Sequence, residues 1–138
     1  MSALAFFDTS ILVYQDDTSS PAKQHCALAV FSEHFKKGTA VLSLQVLQEY
    51  FNAATRKLNL DPERAQRRVE IFALANIVRF EVTDVIAAIE LHRLTHISFW
   101  DALIIHAARI SGATVVYSED FQHGSVLAGV RIRNPFIA

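Results

Sequence analysis

Leu4-Ala5-Phe6-Phe7-Asp8-Thr9-Ser10 is a short apolar run that ends abruptly in a carboxylate and two hydroxyls. An apolar run stopped by a polar turn is the pattern of a parallel strand buried on both faces, and in open α/β sheets ligands sit just beyond the carboxyl ends of such strands. Asp8 then stands at the rim of a site. The same side chain can equally cap the helix that follows, because its oxygens accept hydrogen bonds from orphan N–H groups. The stretch alone leaves both readings open.

Moving outward, Ile11 to Tyr14 continue as an apolar turn, and Asp16-Asp17-Thr18-Ser19-Ser20 reads as a loop. Ser20-Pro21 opens a helix with a hydroxyl at the cap and proline at the first helical position, where its missing N–H costs nothing. Ala27, Val30, Phe31 and Phe35 form its apolar stripe, and Gly38 closes it. Residues 40–43 form a second strand that again ends in a hydroxyl. The helix predicted over 44–58 buries Leu47, Tyr50, Phe51, Ala54 and Leu58, with Gln45, Glu49, Asn52 and Arg56 on its opposite side. Asp61-Pro62 starts another helix by the cap-and-proline rule, with Val69, Phe72 and Ala73 inward and Arg64, Arg67 and Arg68 outward. Residues 77–82 are a third strand candidate, and Thr83 caps a helix to about residue 95 with Val85, Ile86, Ile89 and Leu94 as apolar members.

The segment 98–112 is apolar nearly all round, which predicts a central buried helix ended by Gly112. Residues 113–117 are the next buried strand, stopped by Ser118-Glu119-Asp120, and 130–132 a short last one. Strand alternates with helix, without repeats or low-complexity tracts. This predicts one α/β domain over 1–138 with a mostly parallel sheet.

A chain of 138 residues that is 51% hydrophobic has the size of one domain and can bury a sizeable core. Its single cysteine, Cys26, rules out an intramolecular disulfide framework and suits a reducing compartment. The first ten residues carry no Lys or Arg, so a signal peptide is not expected. No stretch approaches the roughly 18 uninterrupted apolar residues of a spanning helix, so a soluble, cytoplasmic protein without membrane contact is expected. A formal net charge of −1 excludes a generally basic nucleic-acid binder. Any such contact must rest on a local patch.

Four acids stand out by position. Asp8 follows the first strand, Glu49 lies in the first turns of the helix after the second, Asp101 begins the buried helix, and Asp120 follows the strand after it. In a parallel sheet these places share one edge, so four carboxylates far apart in sequence can converge. Unpaired, they would repel one another and raise one another's pKa. A divalent cation resolves the repulsion, and oxygen-only ligands select hard ions such as Mg²⁺ or Mn²⁺. Each acid has a plainer reading. Ser98-Phe99-Trp100-Asp101 has capping-box spacing, Glu49 shares a polar helix face, and Asp120 fits an ordinary turn. The combination favours the site.

Four blocks together resemble the PIN-domain proteins, and among them the VapC-like ribonuclease toxins of prokaryotic toxin–antitoxin pairs: Phe7-Asp8-Thr9-Ser10, the run from Ser43 to Glu49, the run from Ser98 to Ile104, and the run from Tyr117 to Gly124. The resemblance runs in order from Ala3 to about Arg133. It implies a three-layer α/β/α sandwich and a metal-dependent endoribonuclease, with Asp8, Glu49, Asp101 and Asp120 around one or two Mg²⁺ or Mn²⁺ ions. Thr9, Ser10 and Ser118 match the family's supporting polar positions, with Ser10 standing where the family often has Asn. Glu119, beside Asp120, competes with it for the metal-facing role, and the register favours Asp120. The resemblance further implies an RNA substrate, a cognate antitoxin that blocks the acidic pocket, and a homodimer.

The chemistry is coherent with the residues. A carboxylate-held cation activates water for in-line attack on a phosphodiester, so no side-chain nucleophile is required. Arg56, Lys57, Arg64, Arg67 and Arg68 form the densest basic cluster and could meet flanking phosphates, although Glu63 and Glu70 interspersed among them also fit a solvated helix face. His92 and His96 have i, i+4 spacing but no third zinc ligand, and His106 reads as a hydrogen-bonded core residue. Phosphoryl transfer through an aspartyl-phosphate at Asp8 fits poorly, since such phosphatases want a second Asp where Ser10 stands. The remaining alternative is a catalytically silent PIN-like module that binds RNA or a protein partner.

Overall fold

The computed structural model describes residues 3–137. Strands β1 (Ala5–Phe7), β2 (Ala40–Ser43), β3 (Asn76–Val78), β4 (Val115–Tyr117), β5 (Val126–Leu127) and β6 (Val130–Arg133) form one sheet in the order β3-β2-β1-β4-β6-β5. All neighbouring pairs are parallel except β5–β6. The helices are α1 (Thr9–Tyr14), α2 (Pro21–Lys37), α3 (Leu44–Arg56), α4 (Pro62–Phe72), α5 (Val82–Thr95) and α6 (Phe99–Ser111). Helix α1 packs on α2 and α3, α3 packs on α4, and α5 packs on α6, which lies across β2, β4 and β6. The expected α/β/α sandwich with a mostly parallel sheet is what forms.

The central strands owe their placement to composition. Ala5, Phe6 and Phe7 are all fully buried, as the unbroken apolar run requires of a strand covered on both faces. Phe7 packs edge-on against Phe31 of α2, and Phe31 in turn against Phe72 of α4, so one aromatic chain ties the first strand to two helices. Helix α6 buries seven successive residues from Ala102 to Ala108. His106 among them is satisfied as a core residue. Its Nδ1 accepts from Arg109 at 2.6 Å, which leaves Nε2–H to donate to Asp84 at 3.0 Å. Gly112 ends α6 at φ 83°, a left-handed conformation that a side chain would strain.

Several local expectations are corrected. Strand β3 begins at Asn76 and stops at Val78, and α5 is capped by Glu81, whose N–H donates to Asp84 at 3.0 Å, rather than by Thr83. The β5–β6 hairpin has no signature in the sequence because two residues carry no periodicity. On α3, Val46 is buried and Phe51 is turned outward at 38% exposure. Helix α5 departs furthest. Val85, Ile86, Ile89 and Leu94 are exposed, while Ala88 and Leu91 face the core. Ala73 likewise lies outside the core.

One polar network braces the α1 end. Tyr50, wholly buried, donates its hydroxyl to Asp16 at 2.5 Å, and Arg68 reaches the same carboxylate oxygen at 3.1 Å. The Arg68 guanidinium also donates to Gln15 Oε1 and lies over the Phe72 ring.

Candidate functional site

The order of the sheet puts a crevice at its carboxyl end. From β1 the chain steps outward to β2 and β3, then returns to place β4 on the other side of β1, and this reversal between β1 and β4 is where ligands collect in such sheets. A cleft of ≈ 330 Å³ opens there, lined by Asp8, Glu49, Asp101 and Asp120 together with Thr9, Arg56, Lys57 and Trp100. All four acids singled out in the sequence therefore line one cleft. A larger apolar groove of ≈ 640 Å³ between α3 and α4, lined by Leu44, Leu47, Phe51 and Val69, carries no ionisable group.

Asp8 caps α1 and also lines the cleft. It is the N-cap residue of α1, and its Oδ1 accepts the Thr9 N–H at 2.7 Å, while Oδ2 accepts the Ser118 hydroxyl at 2.7 Å. At 5% exposure its burial pushes the carboxyl up to about 6 against the lowering effect of those two bonds, and the charges of Asp120 and Glu49 push it further the same way.

The hydroxyls hold the other acids. Ser118, fully buried, accepts the Asp120 N–H at 3.0 Å, so one side chain links the first acid to the last. Thr9 donates to Glu49 Oε1 at 2.9 Å, and the Gln45 amide approaches the same oxygen at 3.5 Å. Ser43 caps α3 and sets where Glu49 projects. Ser98 caps α6 by accepting the Asp101 N–H at 3.0 Å, and Asp101 lines the cleft. The Asp120 carboxyl is raised by desolvation first and then by the charges of Asp101 and Glu119, with Lys57 opposing. As a residue Asp120 is open to solvent, so that shift is screened and contributes little to stability.

Glu119 and Asp120 point to different partners. Glu119 accepts the Tyr14 hydroxyl at 2.8 Å and pairs with Lys23, whose ammonium also lies over the Tyr14 and Phe136 rings. Its backbone N–H donates to Ser10 at 3.4 Å, and with Glu119 so held Asp120 joins the other three acids. Lys23 was invisible to sequence reasoning because 96 residues separate it from Glu119.

The basic cluster divides. Arg56 and Lys57, at the end of α3, line the acidic cleft, whereas Arg64 and Arg67 on α4 do not, and Arg68 is bound inward to Asp16. Sequence reasoning also missed Trp100. The signal available was a lone tryptophan directly before a candidate acid, at the start of a helix whose buried face begins only at Ala102.

The donor set fits a hard divalent cation. Every candidate ligand is a carboxylate oxygen, and a buried carboxyl raised to about 6 lacks countercharge. Among the described residues no three acids, histidines or cysteines stand close enough together to hold a metal ion as they are placed. The acids ring an open cleft, which suits an ion that keeps several of its waters. His92 is committed to the Ile97 carbonyl and His96 is the left-handed cap of α5, in agreement with a structural role for both.

The family model of the PIN domain matches residues 5–126. No curated protein is a significant match to the sequence. Solved structures share the fold at low identity. A toxin–antitoxin complex from Klebsiella pneumoniae superposes with a TM-score of 0.68 at 18% identity, covering 95% of this chain and 97% of the other. The DNA-bound VapBC of Salmonella typhimurium gives 0.69 at 17%, with 97% and 99% covered. VapC20 of Mycobacterium tuberculosis, described as a sarcin-ricin loop cleaving toxin, gives 0.63 at 19%, with 84% and 89% covered.

Proposed function

The chain belongs to the PIN-domain family, and on that premise we propose that it is a divalent-cation-dependent endoribonuclease, the toxin of a toxin–antitoxin pair. The observation that carries this reading is the convergence of Asp8, Glu49, Asp101 and Asp120, from four separate segments, on one cleft beside Arg56 and Lys57. Asp8, Glu49, Asp101 and Asp120 would hold a Mg²⁺ or Mn²⁺ ion, which would supply water of lowered pKa and offset charge on the phosphodiester.

The chain's own residues do the rest. Ser118 and the Thr9 N–H fix both oxygens of Asp8, and the Thr9 hydroxyl fixes Glu49, so the acids are oriented before substrate arrives. Arg56 and Lys57 hold phosphates at the rim. A cognate antitoxin and a second copy of the chain complete the reading. The relatives solved as toxin–antitoxin complexes support the first, and Ile86, Ile89 and Leu94, exposed on α5, give either partner a surface to cover. No helix among the described residues is long and apolar enough to cross a membrane, and a cytosolic location accords with the RNA substrate.

Purified protein is expected to cleave RNA in Mg²⁺ or Mn²⁺ and to stop on addition of chelator, and Asp101→Asn to abolish cleavage without loss of fold. An Asp101→Asn protein as active as the parent sinks the site assignment, and a parent that binds RNA but never cuts it favours a silent module.

Lys23 is a positioning residue in this scheme. Lys23→Met leaves Glu119 held by Tyr14 alone and freer to compete with Asp120, so Mn²⁺ affinity read by calorimetry should fall several-fold, toward the roughly 10–100-fold typical of outer-shell changes. The melting temperature should move little, because a half-exposed ion pair adds only modest stability. Unchanged Mn²⁺ affinity would remove Lys23 from the scheme.

A further inference from the structure

Trp100 is the only tryptophan in the chain and is 64% exposed, on the first turn of α6 beside Asp101. A large aromatic left in water next to a charged centre is not explained by the core, which takes Phe99 in part and the α6 residues from Ala102 fully, but not Trp100. Its backbone is nonetheless fixed by the Ser98 cap, and the Phe99 ring packs against it at 5.3 Å. The indole thus stands at the mouth of the site on a fixed stretch of backbone.

Trp100 belongs to two clefts at once. It lines the acidic cleft, and it also lines a neighbouring one of ≈ 290 Å³ with Leu44, Phe80 and Val85 as apolar walls and Gln45 and Gln48 as polar ones. Gln45 too is shared by both. The two glutamines lie three residues apart on α3, so their amides fall on one helix face. Among the described residues no charged side chain lines this second cleft. An aromatic plane, apolar walls and neutral amides able both to donate and to accept are the means by which proteins hold an unpaired nucleobase.

We propose that this cleft is a nucleobase subsite: the base adjoining the phosphate at the four acids stacks on Trp100, and its edge is read by the Gln45 and Gln48 amides. The proposal rests on the ribonuclease reading above and adds how a single-stranded RNA is gripped and which side chains set its base preference. Continuity with the acidic cleft singles out nucleic acid as the occupant, because a strand whose phosphate lies at the acids must place the neighbouring base within reach of Trp100. A protein surface covering the same plane would need no amides next to the acids.

Because Trp100 is the sole tryptophan, intrinsic fluorescence reports on the subsite directly. The full chain is titrated in chelator, where binding proceeds without cleavage, with short single-stranded homopolymeric RNA oligomers. Saturable quenching is expected, with unequal affinities among the four bases. By anisotropy of labelled RNA, Trp100→Phe should bind nearly as the parent, while Trp100→Ala should bind roughly five- to a hundred-fold more weakly at an unchanged melting temperature. Gln48→Leu should level the preference among bases.

Fluorescence that ignores RNA, together with Trp100→Ala binding as tightly as the parent, overturns the subsite while leaving cleavage by the parent untouched. Emission that shifts instead with protein concentration as the mass doubles also overturns it and assigns Trp100 to an interface between copies. A parent that is quenched by RNA yet never cuts it in Mn²⁺ defeats the nuclease reading and leaves the subsite standing.

Discussion

In chelator at neutral pH, Asp8→Asn should melt above the parent, and in Mn²⁺ it should cleave RNA more than about a hundredfold more slowly. The two effects have one cause. Burial lifts the Asp8 carboxyl from 3.8 to about 6, so the folded chain holds that proton more tightly than the unfolded chain does. Stability on this account is greatest below pH 3.8, declines as pH rises toward 6, and is flat above it. The full cost above pH 6 corresponds to at most about 3 kcal/mol. Asparagine removes the buried charge and keeps an oxygen for the Thr9 N–H, but it gives up the acceptor that Oδ2 offers to Ser118, so a net gain of about 1 kcal/mol is expected.

Activity moves the opposite way, because the carboxylate that burdens the empty fold is the one that would hold the ion. Altering a group that merely supports a metal ligand already costs about 10–100-fold, and removal of the ligand itself costs more. Mn²⁺ should therefore raise the melting temperature of the parent and leave that of Asp8→Asn almost unmoved. Thermal melts at pH 5 and pH 8, with and without Mn²⁺, check both halves. A variant that melts below the parent at pH 8 in chelator would show that the Ser118 bond outweighs the buried charge.

The acids were legible in the sequence because each sits where a strand or a helix cap ends, and a parallel sheet sends all such ends to one side. Asp8 could be read from a three-residue strand because that strand has no polar residue to dilute it. What escaped were features fixed by tertiary packing. Helix α5 carries apolar residues all round, so periodicity could not tell that Ala88 and Leu91 face inward while Ile86 and Ile89 face out. Spacing alone puts Phe51 inward, but Val46, just over a turn earlier, takes the buried arc. Register favours Asp120 over Glu119, and what turns Glu119 away from the cleft that Asp120 lines, the grip of Tyr14 and Lys23, comes from residues over 90 positions away.

Sequence spacing groups Arg68 with the phosphate-binding cations, and its environment leads to a different expectation. Its Nε and the Tyr50 hydroxyl both donate to Asp16 Oδ2, in a setting where Tyr50 is wholly buried and the Asp16 side chain is 11% exposed. Burial first, and then the Asp16 carboxylate, push the Tyr50 hydroxyl well above its ordinary range, so it remains a donor at every physiological pH. Removing the carboxylate leaves a buried hydroxyl without its acceptor and a guanidinium without its counter-ion. Asp16→Ala should therefore cost about 3–5 kcal/mol, seen as a lower denaturant midpoint at unchanged slope. Arg68→Ala, which also gives up the packing on Phe72, should cost about 2–3 kcal/mol. Neither change should alter how RNA binding depends on salt. Lys57→Ala should do the reverse. It should leave stability near that of the parent while flattening the plot of log affinity against log salt by about 0.7, the slope due to one phosphate of a single strand that is no longer neutralised. If Arg68→Ala flattens that plot and leaves the denaturant midpoint unmoved, Arg68 belongs with the RNA-binding cations after all and the Asp16 pair is incidental.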